Sequence, residues 1–139
     1  MDRKEFFSAL GYSSGVMMIA GCLGACKKSQ VTYDTPAPTV DFTLDINQGL
    51  NIALKNPGGY VYSNNVIVAK TTSGDIIAVA QFCPHQGTSV QYQGDRNRFY
   101  CPNHGQLFTN TGAFIEGPTN KPLKQYTVVV TGDLVHVTG

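Results

Sequence analysis

Two short motifs, each combining a cysteine with a histidine, constrain this chain more than any other feature. The first is Cys83-Pro84-His85 and the second is Cys101-Pro102-Asn103-His104, with 15 residues between them. Thiolates and imidazoles are the ligands that soft and borderline metals prefer. The short spacing within each motif lets one loop present both ligand types. The sequence therefore predicts a metal site built from Cys83, His85, Cys101 and His104.

The residues around the motifs suit loops that carry ligands. Gly87 and Gly105 allow the backbone to turn and to bring N–H groups close to a bound group. Pro84 and Pro102 stiffen each loop directly after its cysteine. From Cys83 to Pro118 the chain is rich in Gly, Pro, Asn and Gln, and its strand signals are weak. Roughly 35 residues with so little regular structure need something else to order them, and a metal site would do so.

This part of the chain resembles the Rieske 2Fe-2S proteins. That family has a C-x-H motif, a gap of about 15 to 17 residues and then C-x-x-H. The likeness continues through Cys101–Phe108, Thr111-Gly112 and Gly117-Pro118, and it extends roughly from Tyr60 to Thr138. The resemblance implies an all-β fold, an antiparallel sandwich or barrel with a small cluster-binding subdomain. It also implies one 2Fe-2S cluster per chain.

Within the resemblance, each predicted ligand has a role. Cys83 and Cys101 would hold the buried iron, and His85 and His104 would hold the outer iron near the surface. Two ferric ions, two sulfides and two thiolates sum to zero charge, so reduction gives a charge of minus one. That couple costs less to bury than the more negative all-cysteine version, which is why histidine ligation raises the potential.

The sequence departs in four places from the quinol-oxidising branch of the family. Thr88 and Asn103 stand where that branch has the cysteines of a disulfide between the loops. Gln106 and Phe108 stand where it has a serine and a tyrosine that donate hydrogen bonds to the cluster sulfurs. These departures resemble the Rieske-type ferredoxins and oxygenase domains instead. We therefore expect a potential in the lower half of the Rieske range.

The same residues also suit three other kinds of site. A structural zinc site accepts this ligand set, but such sites usually use C-x2-4-C and H-x3-5-H pairs. A disulfide between Cys83 and Cys101 suits an oxidising compartment but leaves both histidines unexplained. A Rieske oxygenase needs a second iron held by two histidines and a carboxylate. Only His136 remains for it, on the last predicted strand, so we do not expect the chain to be an enzyme by itself.

The chain from residue 40 to 139 is predicted to be one β domain. Short strands alternate with turns: Val40–Ile46, Tyr60–Tyr62, Val66–Ala69, Ile76–Gln81, Tyr126–Thr131 and Leu134–Thr138. Ser63-Asn64-Asn65 and Gly132-Asp133 are hairpin signals. No amphipathic helix longer than two turns is expected. Tyr92, Tyr100 and Tyr126 are interpreted as packing residues.

The first 26 residues are interpreted as an export signal with a lipoprotein box. Arg3 and Lys4 precede a weakly apolar run that ends in two boxes, Ile19–Cys22 and Leu23–Cys26. In bacterial lipoproteins the cysteine of such a box is acylated. Cys26 is preferred because two lysines follow it, and Cys22 is the alternative. Arg3–Phe7 resembles the twin-arginine motif with a lysine in place of one arginine, so that route and general secretion both stay open.

Residues 27 to 39 are polar, contain two prolines and are interpreted as a tether. A net charge of +1 offers no basic patch for nucleic acid. The sequence thus predicts an exported, lipid-anchored electron carrier facing the periplasm. Its partners would be a redox protein or a membrane oxidoreductase complex, and the alternative is a Rieske subunit of such a complex.

Overall fold

Ten short strands form three antiparallel sheets in the computed structural model, which describes residues 36–139. The predicted all-β fold is confirmed. Among the described residues, no helix has the length and apolar character needed to cross a membrane. The strands are β1 (Asp41–Asp45), β2 (Tyr60–Ser63), β3 (Val66–Lys70), β4 (Ile76–Ala80), β5 (Gln91–Gln93), β6 (Arg98–Cys101), β7 (Gln106–Thr109), β8 (Phe114–Glu116), β9 (Thr127–Thr131) and β10 (Leu134–Thr138).

The first sheet joins the two ends of the domain in the order β1-β10-β9. Val135 and Val137 on β10 are buried, while His136 between them points outward. This alternation is what a strand with one face on a core requires. As predicted, His136 is a half-exposed strand residue, and its Nε2 lies 2.7 Å from an Asp41 carboxylate oxygen on β1.

The second sheet has the order β2-β3-β4, and its central strand is buried on both faces. The predicted hairpin between β2 and β3 is confirmed. Asn64 and Asn65 form its turn with φ of +51° and +62°, which a two-residue hairpin of the common type requires. Val66 and Val68 face one apolar core shared with the first sheet, and Ile67 and Ala69 face a second core.

The third sheet corrects an expectation from the sequence. The segment from Cys83 to Pro118 was expected to hold little regular structure, yet it carries β5 to β8 in sheet order. These strands have only three or four residues each, too few to give a periodic apolar pattern. Cross-strand pairing defines them instead, as where Phe99 lies opposite Phe108.

Two 3₁₀ helices complete the described fold, over Gly49–Lys55 and Gly94–Arg96. The first was not predicted, and it buries Leu54 in the core between the first two sheets. Tyr92 and Tyr126 are buried, as expected of packing residues. The export signal, both lipobox cysteines and most of the tether lie outside the described residues. The predicted domain boundaries stay predictions.

Candidate metal centre

The two cysteine–histidine motifs form two loops with the same backbone turn. The first loop follows β4, and the second connects β6 to β7. The Gly87 N–H donates to the Cys83 carbonyl at 2.8 Å, and the Gly105 N–H donates to the Cys101 carbonyl at 3.0 Å. Both glycines have φ of +69°, a conformation that other residues adopt at a cost. The same sequence spacing of cysteine and glycine thus gives the same turn twice.

The four predicted ligands come together between these loops. Cys83 and Cys101 are 1% and 2% exposed, and their thiols are close enough to influence each other. His85 is partly buried and His104 is exposed. Their ring centroids are 4.8 Å apart with the planes at 76°. The site therefore has two sulfurs at its buried end and two imidazoles at its surface.

The Cys83 sulfur lies in an environment of opposing influences. Burial, with a smaller contribution from the neighbouring Cys101 thiol, raises the pKa of the Cys83 thiol to about 11. Backbone N–H groups of His85 and Gln86 donate to the sulfur and lower the pKa. A metal that binds here must displace the thiol proton, and it finds backbone donors already directed at the sulfur.

The donor set combines two buried thiols with two imidazoles. Within residues 36–139, no three histidine, cysteine or acidic side chains converge on one ion position. Cys83 and Cys101 are free thiols, so the disulfide alternative is not what the structure contains. Two thiols at one end and two imidazoles at the other match the soft and borderline ligands that a cluster needs.

Two amide side chains hold the loops to each other. Asn103 Nδ2 in the second loop donates to Gln86 Oε1 in the first at 2.6 Å. Asn103 and Thr88 occupy the two positions where the quinol-oxidising branch was expected to carry the cysteines of a disulfide. This link was not predicted, because nothing in the spacing of two exposed amides shows that they will meet.

A family model described as the Rieske 2Fe-2S domain matches residues 50–127, which include both loops and all four candidate ligands. The chain belongs to this family. A 2Fe-2S cluster is the family's cofactor, as the resemblance implied.

Curated relatives include iron–sulfur subunits of cytochrome b6-f complexes. The subunit from Chlorobaculum tepidum is 30% identical over 120 residues, which cover 81% of this chain and 66% of the relative. The match to the corresponding subunit of Chlorobaculum thiosulfatiphilum covers only 42% of that protein. The chain thus spans part of the length of these Rieske relatives.

Solved structures of Rieske proteins share the fold. The plasma membrane Rieske protein of Synechocystis is 31% identical with a TM-score of 0.50, covering 58% of this chain and 85% of that one. A ferredoxin of Sphingomonas yanoikuyae is 26% identical with a TM-score of 0.52, covering 60% and 88%. Both likenesses agree with the antiparallel architecture described above.

Proposed function

We propose that this Rieske protein is an exported one-electron carrier whose cluster is held by Cys83, His85, Cys101 and His104. The observation that carries the proposal is the position of these side chains, with both thiols buried and the His104 ring exposed at the surface. When bound, a 2Fe-2S cluster accepts and donates one electron at a time. The thiols would hold it away from water, and the imidazoles would form its side nearest to a partner.

The hydrogen-bond donors of the site support reduction of a bound cluster without a lysine or arginine beside it. Backbone N–H groups of His85 and Gln86 already point at the Cys83 sulfur. Such donors stabilise the extra negative charge that reduction brings. A charge change from zero to minus one in this buried environment needs donors of that kind more than it needs a nearby lysine or arginine.

The loop link favours a carrier over quinol oxidation. Thr88 and Asn103 cannot form the disulfide of the quinol-oxidising branch, and the Asn103–Gln86 hydrogen bond joins the loops instead. The likeness to a solved ferredoxin points in the same direction. A hydrogen bond, unlike a disulfide, does not depend on the redox state of the compartment.

A subunit of a larger membrane oxidoreductase is the second candidate function. The relative that covers 81% of this chain is an iron–sulfur subunit of a cytochrome b6-f complex. Another relative, 40% identical over 63 residues, is a menaquinol:cytochrome c reductase subunit from Geobacillus thermodenitrificans. In this version the same cluster would exchange electrons within a complex rather than with a mobile partner.

The proposed location is the outer face of a bacterial inner membrane, with a lipid anchor on Cys26 or Cys22. The described chain starts beside the candidate metal centre, where Pro36 and Pro38 line a cavity of about 630 Å³ together with Cys83. A fully extended chain rises about 3.5 Å per residue, so the stretch from Cys26 to Pro36 spans at most about 35 Å. An anchor at Cys26 would therefore keep the cluster loops within reach of membrane partners.

The reduction potential separates the two candidate functions. Rieske potentials span about −150 to +300 mV, and we expect this protein in the lower half of that range at pH 7. The reason is that Phe108 has no hydroxyl to donate to a cluster sulfur. Protein-film voltammetry of the loaded protein measures the value directly. A potential near +300 mV would contradict the carrier and make quinol oxidation the leading function.

A further inference from the structure

Gln106 is a fully buried amide at the meeting point of three loops. It is 0% exposed, and on β7 it lies opposite Cys101 at the start of the second cluster loop. Gly117 covers it so closely that a Cβ there would stand 2.7 Å from the Gln106 Cγ. A polar side chain enclosed in this way must find its hydrogen-bond partners within the protein.

The partners of the Gln106 amide are a predicted ligand and a loop threonine. The Cys83 thiol donates to Oε1 over 3.7 Å. Nε2 donates to the Thr119 carbonyl at 3.3 Å and to the Thr119 hydroxyl oxygen at 3.2 Å. This orientation satisfies both ends of the amide, provided that the Cys83 sulfur carries a proton.

A cysteine sulfur bound to iron carries no proton and only accepts hydrogen bonds. With the cluster bound, Oε1 would then face the Cys83 sulfur with no hydrogen between the two acceptors. We propose that the Gln106 amide is reversed in the loaded protein, so that Nε2 donates to the Cys83 sulfur and Oε1 accepts from the Thr119 hydroxyl. The inference rests on the proposed ligand set.

The site permits this reversal without rebuilding its walls. The oxygen and nitrogen ends of an amide are nearly equal in size, so a rotation of the end group needs no extra room. The Thr119 hydroxyl rotates freely and serves either as acceptor or as donor. The Thr119 carbonyl gives up one bond, and because Thr119 is only partly buried, water is at hand to replace it.

The reversed amide would set the potential of the cluster. A donor to a ligand sulfur stabilises the reduced, more negative state, whereas an oxygen facing the sulfur destabilises it. Gln106 would thereby partly compensate for Phe108, which offers the cluster no hydroxyl. Gln106 is thus assigned as a residue that positions and polarises the cluster, although it does not bind iron.

The test is the reduction potential of Gln106→Met, which keeps the length of the side chain and removes the donor. We expect the equilibrium constant for reduction to be about tenfold smaller than in the wild type. This equals a fall in reduction potential of about 59 mV for a one-electron couple. An unchanged or higher potential would overturn the inference. If Oε1 faced the sulfur in the loaded protein, its removal would raise the potential rather than lower it. Gln93→Met, on β5 at the edge of the same sheet, is the matched control and should leave the potential unchanged.

A second pair of variants covers the case in which Gln106→Met fails to bind the cluster. Thr119→Val removes the hydroxyl that holds Oε1 and should lower the potential, whereas Thr119→Ser should not. Equal potentials in both variants would refute the reversal. Iron and sulfide are counted first in the wild type: a protein without a cluster would refute the proposed function, while a cluster with the wrong response refutes only the reversal.

Discussion

At the scale of single residues, Phe108 stands where the quinol-oxidising branch was expected to carry a tyrosine, and it has no hydroxyl to donate to a cluster sulfur. Phe108 is fully buried and packs in the same core as Cys83 and Cys101. Backbone N–H groups already donate to the Cys83 sulfur, so a hydroxyl at position 108 would add one more hydrogen bond to them. Its contribution can be measured by restoring the hydroxyl.

Phe108→Tyr should raise the reduction potential by tens of millivolts if the new hydroxyl reaches the Cys83 sulfur. About 59 mV corresponds to 1.4 kcal/mol for one electron, a plausible contribution for one hydrogen bond. Voltammetry of the loaded variant gives the shift. Phe114→Tyr is the control, because Phe114 lies opposite Phe108 on β8 but is only partly buried. A fall in potential together with lower thermal stability would mean that the hydroxyl is buried without a partner.

The four candidate ligands could be predicted from the sequence, but their hydrogen-bonding neighbours could not. Ligand spacing is local, with each pair inside a stretch of three or four residues. The contact of Gln106 with Thr119 crosses 13 residues, and its contact with Cys83 crosses 23. Such contacts depend on how three loops close over one another, which no local pattern records.

At the scale of elements, the two cluster loops depend on their glycines. Gly105 has φ of +69°, and a Cβ added there would meet no atom within 4 Å. The penalty for another residue is therefore conformational rather than steric.

Gly105→Ala should destabilise the loaded protein by about 1 kcal/mol, the usual cost of placing an L-residue in the left-handed region. For a domain of about 100 residues this lowers the thermal midpoint by about 4 to 8 °C. Gly105→Asn is the matched control and should cost less, because asparagine tolerates this conformation. Equal midpoints for the alanine variant and the wild type would contradict the assigned turn.

Elements with strong local signals were predicted well, and those that depend on partners were not. Two of these elements were recognisable in the sequence: β10, with its alternation of apolar and polar residues, and the Asn64-Asn65 turn. The strands β5 to β8 were missed because each is short and mixes polar with apolar residues. The 3₁₀ helix Gly49–Lys55 was missed because Leu54 is its only buried residue, so its sequence shows no periodic apolar pattern.

At the scale of the whole molecule, the described chain enters the domain next to the cluster loops. The Tyr126 hydroxyl donates to the Pro38 carbonyl at 2.9 Å, and Lys124 Nζ donates to the same oxygen at 3.4 Å. The last described residues of the predicted tether are thus fastened to the loop that precedes β9.

Cys26→Ser should release the protein from membranes or stall its processing, because the predicted lipid is attached through that sulfur. Cys22→Ser is the matched control and should leave the protein in the membrane fraction. Fractionation of cells that express each variant, followed by mass spectrometry of the mature N-terminus, measures both. Release by Cys22→Ser but not by Cys26→Ser would assign the lipid to Cys22. No effect from either substitution would contradict the lipoprotein hypothesis.

The central claim is that Cys83, His85, Cys101 and His104 hold a 2Fe-2S cluster with mixed ligation. Low-temperature EPR of the dithionite-reduced protein, with iron and acid-labile sulfide counted on the same sample, tests it most directly. We expect two irons and two sulfides per chain and the average g value of a histidine-ligated cluster, with the signal lost in His85→Ala and in His104→Ala. A full complement of zinc without sulfide, or the average g value of an all-cysteine cluster, would contradict the account.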